Sequence, residues 1–278
     1  FLIAFLLGFI PNMSLFSDEG MWLFNDPPTT LLSKKHNFNL TNPWLENACL
    51  SSVRFNNGGS GSFISADGLI ITNHHIGADS LQKLSTATRD LLKDGFIAKK
   101  QADEIPCPDL ELNVLISIED MTDKIKNTVT PNMTPAEAFA ARRSAMAAIE
   151  KESADRTGLR SDIVTLYQGG LYHLYRYKKY TEVKLVLAPE SAIAAFGGDV
   201  DNFEFPRHSL DFCLFRAYEN GKPAKPVKFF KLAKSGPVEG DLVFVTGHPG
   251  TTNRLETLAK ILHRRDYFLP YNLARLRT

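Results

Sequence analysis

Cysteine is scarce in this 278-residue chain, with three in all. Cys49, Cys107 and Cys213 form no CxxC pair and carry no histidine spacing suited to zinc, which argues against a metal centre. In an exported protein two of the three are candidates for a bridge, and spacing leaves the pairing open. Charge of one sign is also lacking. Lys+Arg 32 against Asp+Glu 31 leaves a net charge of +1, so nothing favours electrostatic capture of nucleic acid. Internal repeats and low-complexity linkers are absent. The apolar run Phe1 to Ile10, broken only by Gly8, is too short to span a bilayer.

Hydrophobic residues make up 44% of the chain, enough for a packed core of one large domain. The Phe1 to Ile10 run reads as the core of a signal peptide without its basic start. Residues 1–17 are therefore expected to be a signal-peptide remnant, and the protein is expected to be periplasmic or secreted. The alternative is an apolar N-terminal strand. At the other end the chain stops at Arg277-Thr278 inside an apolar and basic pattern with no helix stop, so a fragment is expected at both ends.

Residues 48 to 76 read as strands and turns. Leu81, Leu84, Leu91, Leu92 and Phe96 then follow helical spacing within Ser80 to Gln101. Leu110 to Ile118 alternates as a half-buried strand. Thr134-Pro135-Ala136-Glu137 is a capping box with proline at the first helical position, predicting a helix to about Ser153. A second helix is predicted over Ser161 to Lys179, with Gly169-Gly170 as a weak point. Strands are predicted at Glu182 to Leu187, Phe212 to Tyr218, Val227 to Leu232 and Leu242 to Thr246. The expected fold is mainly β with helical insertions at about 80–105 and 134–179, within one catalytic domain spanning 18–278.

The chemistry-bearing stretch is Gly58 to His75. Phe63-Ile64-Ser65 and Leu69-Ile70-Ile71-Thr72 are short apolar strands joined by Ala66-Asp67-Gly68, an Asp-Gly hairpin signature. The exit Thr72-Asn73-His74-His75 resembles the Thr-Ala-Ala-His-Cys strand end of chymotrypsin-like serine peptidases, where the histidine is the general base. Counting from the threonine selects His75; the plainer reading is a hairpin with two polar residues at its exit. Asp211 opens a second apolar strand. An aspartate there can accept a hydrogen bond from the base's other ring nitrogen, fixing its tautomer and stabilising imidazolium. A metal site from His74, His75 and Asp211 is disfavoured, because adjacent strand residues point to opposite faces.

Four motifs occur in order: Gly-Gly-Ser-Gly-Ser-Phe at 58–63, Asp-Gly-Leu-Ile-Ile-Thr-Asn-His-His at 67–75, Pro-Asp-Leu-Glu-Leu-Asn-Val-Leu at 108–115, and Phe-Gly-Gly-Asp-Val-Asp-Asn-Phe-Glu-Phe-Pro-Arg-His at 196–208. Together they resemble the bacterial dipeptidyl-peptidase 7 and dipeptidyl-peptidase 11 family of serine exopeptidases. Residues 247–254, Gly-His-Pro-Gly-Thr-Thr-Asn-Arg, are similar to a Gly-Phe-Pro-Gly-Arg-Thr-Asn-Arg run in that family. The resemblance implies part of a chymotrypsin-like double β-barrel, with the helical domain and C-terminal barrel portion missing from this chain. It implies release of dipeptides from peptide N-termini by a Ser-His-Asp mechanism outside the cytoplasm. The partners it implies are peptides with a free N-terminus and a homodimeric second copy; nucleic acid, a stable membrane span and a cofactor are not implied.

Residue by residue, the resemblance makes His75 the catalytic base and Asp211 its orienting acid. Asn202 takes the place of an asparagine that holds the substrate's α-amino group, a role an amide carbonyl can fill. Phe203 stands where the family has a tryptophan in that subsite, and Phe205 where a second is common, so aromatic bulk is kept and the indole donor lost. Arg207 and His208 follow the pattern without an assigned role. The nucleophile lies far downstream in the family, so this chain is expected to carry His and Asp without the Ser and to be inactive alone. Ser60, in Gly59-Ser60-Gly61, imitates a nucleophile motif but precedes the histidine and opens a strand. Rival readings are a chymotrypsin-like endopeptidase and a non-catalytic peptide-binding relative.

Overall fold

Val53, Phe55, Phe63, Ile70, Leu112, Val114, Val183, Leu185, Cys213, Phe215 and Ala217 are all buried in one cluster. Most lie two apart along their strands, so a single face of the sheet supplies the core. The computed structural model describes residues 20–195, 209–248 and 256–277. The chain divides into two units after Leu40. In the first, helix α1 (Thr29–His36) ends on Asn37 in the left-handed conformation, φ 50.

The second unit opens with α2 (Asn42–Ser51), capped by the Thr41 side chain, and runs directly into β1 (Ser52–Phe55). Strands β2 (Ser60–Phe63) and β3 (Leu69–Thr72) form the anticipated hairpin, which leads into α3 (His74–Leu84) and α4 (Leu91–Asp94). Then come β4 (Phe96–Ile97), β5 (Ile105–Pro106), β6 (Leu112–Asp120) and α5 (Thr122–Lys126). Helix α6 (Pro135–Thr157) has both halves of its capping box in place and a C-terminal Gly158 at φ 67. Strands β7 (Arg160–Leu166), β8 (Leu171–Tyr180) and β9 (Glu182–Ala188) follow, then α7 (Ser191–Ala194), β10 (Cys213–Glu219) and β11 (Lys222–Pro223). Helices α8 (Leu258–His263) and α9 (Leu269–Arg277) close the described chain.

The strands form one antiparallel sheet in the order β4-β9-β10-β3-β2-β1-β6-β8-β7, with β11 beside β10 and β5 beside β9. The sheet curls strongly. Lys178 of β8 reaches Glu219 at the end of β10, 2.9 Å away, although four strands separate them in the ladder. Phe63 and Tyr180 meet edge to face inside the curl, 5.8 Å between centroids. A smaller cluster, Ile125, Ile149, Tyr172 and Leu174, packs α5 and α6 against the β7–β8 hairpin.

That hairpin corrects the helix predicted over Ser161 to Lys179. Arg160 to Leu166 pairs residue for residue with Tyr177 to Leu171. The segment is rich in β-branched and tyrosine side chains, which favour a pleated surface, and Gln168-Gly169-Gly170 is a chain reversal. Gly169 sits at φ 97, so the glycines mark a turn rather than a weak point in a helix. The earlier insertion also differs: α3 begins at His74, ahead of Ser80, and after Leu84 only short α4 and a 3-10 turn at Gln101–Asp103 are helical. The strands predicted at 227–232 and 242–246 do not form. Val227 and Val245 are 80% and 96% exposed, and although Phe230 N–H donates to Phe63 O of β2 at 2.9 Å, that bond does not extend into a ladder. All three cysteines are free, so neither Cys107 nor Cys213, both buried, forms the bridge considered from sequence.

Candidate active site

The β2–β3 hairpin is locked at its turn. Ser65 Oγ accepts from the N–H groups of Asp67 at 3.1 Å and Leu69 at 3.2 Å, and Ile64 N–H donates to Leu69 O at 2.8 Å. Gly68 has φ 70, and a Cβ there would stand 2.8 Å from Ala217 O, so glycine is required. Arg216 donates to the Asp67 carbonyl, and Lys225 pairs with its carboxylate. At the far end Thr72 Oγ1 donates to Ser60 O at 2.7 Å and Thr72 pairs with Cys213. The hairpin's exit is therefore held on both sides.

Beyond Thr72 the chain turns into α3, with Asn73 as its N-cap residue. The two histidines part here. His74 is buried, its Nε2 without a partner among the described residues, and burial pushes its pKa down. His75 keeps its side chain 67% exposed, so its ring can meet a ligand from solvent. Its Nδ1 lies 2.9 Å from Asp211 Oδ2 and 3.2 Å from Oδ1, and its backbone N–H donates to Oδ1 at 3.2 Å. An ionised carboxylate only accepts, so in the neutral ring Nδ1 carries the proton and Nε2 is left with the lone pair.

Asp211 sits just before β10 and is tied down locally. Leu210 N–H donates to Ile193 O at 3.0 Å, and Ser209 Oγ to Ala194 O at 2.7 Å, joining this segment to α7. Partial burial pushes the Asp211 carboxyl up. The His75 backbone N–H, the His75 ring and the Asn73 amide outweigh that and hold it below the ordinary carboxylate value. A neutral imidazole, a fixed tautomer and a stable anion behind it are what a general base needs.

The structure thus brings His75 and Asp211 together. Asn202 and Phe203, with the rest of 196–208, lie outside the described residues. Ser60 is close to the hairpin's exit in the ladder, but its Oγ accepts from His248 N–H at 2.8 Å, and no serine hydroxyl bonds the His75 ring among the described residues. Asn73 is the member that sequence reading missed: its Nδ2 donates to Asp211 O at 3.2 Å and Oδ2 at 3.1 Å. The available signal was asparagine, a favoured N-cap residue, directly before the paired histidines. A second histidine–acid pair, His173 with Asp120, is unlike the first: the ring is buried and 3.9 Å separates Nε2 from the carboxylate. No group of three or more His, Cys, Asp or Glu is placed to hold a metal ion among the described residues.

A family model described as Peptidase S46 matches residues 17–278 of the chain. The chain belongs to the peptidase S46 family. An Asp/Glu-specific dipeptidyl-peptidase of Porphyromonas gingivalis is 35% identical over 268 residues, covering 88% of this chain and 37% of the relative. A dipeptidyl-peptidase 7 of Capnocytophaga gingivalis is 32% identical over 259 residues, covering 86% and 36%. This S46 chain therefore spans little more than a third of the length of these curated relatives. Its antiparallel sheet with helices also matches the crystal structure of Porphyromonas endodontalis DPP11 in complex with the dipeptide Arg-Asp. That likeness has a TM-score of 0.69 at 33% identity and covers 81% of this chain and 36% of that one.

Proposed function

We propose that this chain is the N-terminal part of a serine-type dipeptidyl aminopeptidase built on a chymotrypsin-like double barrel. The observation that carries the reading is the His75 Nδ1 to Asp211 Oδ2 contact of 2.9 Å in a chain of the S46 family, with the His75 side chain exposed. In this reading Nε2 takes the proton of a serine hydroxyl as the oxygen attacks the carbonyl of a peptide's second residue. Asp211 stabilises the imidazolium, which then protonates the departing amine, and water releases the dipeptide from the acyl-enzyme. Asn202 accepts from the substrate's α-ammonium, Phe203 walls the same subsite, and that anchor sets the cut two residues from the N-terminus. The nucleophile is not one of this chain's own serines.

The relatives carry two names, one Asp/Glu-specific and one dipeptidyl-peptidase 7, at 35% and 32% identity, so similarity does not choose a side-chain preference. The apolar run at Phe1 to Ile10 supports export to the periplasm or beyond, and the family resemblance supports a homodimer. No helix among the described residues is long and apolar enough to cross a membrane.

The test is hydrolysis of fluorogenic dipeptidyl substrates with free and N-acetylated termini. The 278-residue chain alone is expected to give no more turnover than its His75→Ala variant. Joined to the remaining length of a dipeptidyl-peptidase relative, it is expected to cleave the free substrate and spare the acetylated one. Cleavage of both alike supports an endopeptidase instead. Turnover by the 278-residue chain alone that His75→Ala abolishes overturns the assignment of the nucleophile elsewhere.

A further inference from the structure

Helix α3 starts in an unusual way. An asparagine at the N-cap ordinarily turns its side chain back to accept an N–H of the first turn. Asn73 has the extended backbone of an N-cap, φ −73 and ψ 150, yet makes no such bond. The His75 N–H it would satisfy is taken by Asp211 Oδ1, from 136 residues away. The Asn73 amide instead reaches across to Asp211, donating to both its backbone carbonyl and its carboxylate. Both contacts are to oxygens that can only accept from it, so the amide must present its nitrogen.

The exchange has a geometric reason. The β3–β10 ladder ends at the Thr72 to Cys213 pair, so no backbone hydrogen bond of the ladder holds Asp211. The Asn73 side chain extends the pairing by one step. It grips Asp211 at two points, main chain and side chain, which fixes the position and the rotation of the carboxylate together. Oδ1 then meets the His75 N–H, and Oδ2 is the oxygen nearer the ring, 2.9 Å against 3.2 Å from Nδ1. The positive end of α3 adds to the field that keeps the acid charged.

We propose that Asn73 is a positioning residue of the His75–Asp211 pair: it gives up the cap of α3 so that Asp211 takes that cap and is aimed at His75 Nδ1. The inference rests on the reading of His75 as a base, and its effect on the ring can be read without any turnover.

The experiment is nitrogen and carbon NMR of the histidine-labelled chain, following the tautomer of the neutral His75 ring in the parent, Asp211→Asn, Asn73→Ala and Asn73→Ser. A free histidine ring favours the Nε2–H form; the parent is expected to favour Nδ1–H, and Asp211→Asn to lose that bias. Asn73→Ala is expected to lower the Nδ1–H to Nε2–H ratio about threefold or more, the shift carried by one ordinary hydrogen bond. Serine is itself a strong N-cap, so Asn73→Ser is expected to keep parental thermal stability while the ratio falls similarly. A folded Ala or Ser variant with the parental ratio, while Asp211→Asn changes it, overturns the positioning role and leaves the base reading standing. An unchanged ratio in Asp211→Asn overturns the base reading, and this inference with it. If the alanine variant does not fold, the serine variant decides.

Discussion

Gly77 on α3 passes so close to Cys213 on β10 that a Cβ on the glycine would stand 2.9 Å from the cysteine Sγ. The same atom would lie 3.3 Å from the Phe215 ring. The missing side chain lets α3 lie against the strand that follows Asp211. Helix propensity alone favours Gly77→Ala by about 1 kcal/mol. Overpacking of this core costs about 1–3 kcal/mol, so we expect net destabilisation in urea unfolding. Because α3 carries His75 and β10 follows Asp211, the variant is also expected to weaken the Nδ1–H preference of His75, measured by NMR.

His248 provides a pH test. Its ring is half-buried beside Tyr177, 6.5 Å between centroids, and its Nδ1, out of reach of solvent, has no partner among the described residues. Burial, helped by the charge of Arg54, pushes its pKa down to about 4 from 6.5. The unfolded chain therefore binds the proton first. Stability is fully present above pH 6.5 and is lost as pH falls towards 4, by up to about 3 kcal/mol. His248→Phe, which restores the residue of the family run it resembles, should remove this dependence. Urea unfolding at stepped pH measures the difference.

Asp211 has the opposite chemistry and the same sign. Its folded carboxyl lies below the ordinary 3.8, so its stabilising contribution is present above that value and is lost as pH falls through the lower, folded one. The parent is expected to be more stable than Asp211→Asn at pH 6, with the gap closing as the medium becomes more acidic than the ordinary carboxylate value. Paired denaturation curves at the two extremes check it.

Glu104 anchors the hairpin from beneath. Its carboxylate, 2% exposed, accepts from Arg216 Nε at 2.9 Å and Tyr218 OH at 2.7 Å, and Arg216 in turn holds Asp67. Glu104→Ala leaves a mostly buried guanidinium unpaired, an expected loss of about 3–5 kcal/mol in chemical unfolding. Glu104→Gln keeps an acceptor and should cost about 1–3 kcal/mol. Burial first, and then the bond to Glu104, push the Tyr218 hydroxyl up to about 12. That tyrosine should ionise earlier in both variants, as followed by tyrosinate absorbance.

Elements governed by neighbours in the chain were legible. The Asp67-Gly68 turn, the strand after it, the Thr134 capping box and the strands at 182 and 213 form where residue type and spacing place them, whereas the strand before the turn is Ser60–Phe63 rather than 63–65. The β7–β8 hairpin gives mixed local signals, since Ile163 and Leu166 stand three apart as on a helix and Tyr172 and Leu174 two apart as on a strand; burial of Ile163, Tyr172 and Leu174 with residues of α5 and α6 settles it. Residues 227–232 and 242–246 show the reverse error: their composition suits a strand, but a contact such as Phe230 N–H to Phe63 O at 2.9 Å does not extend into a ladder.

The sequence by itself determined that a hairpin would lead to the paired histidines and that Asp211 would stand at the head of a strand, since turn sterics and alternation act over a few residues. Only the tertiary structure decided that the two meet at 2.9 Å, that His74 turns inward while His75 stays open, and that Asp211 rather than Asn73 caps α3. Those outcomes depend on the β3–β10 ladder and the close passage of Gly77 over Cys213, contacts across more than 130 residues that no local propensity encodes.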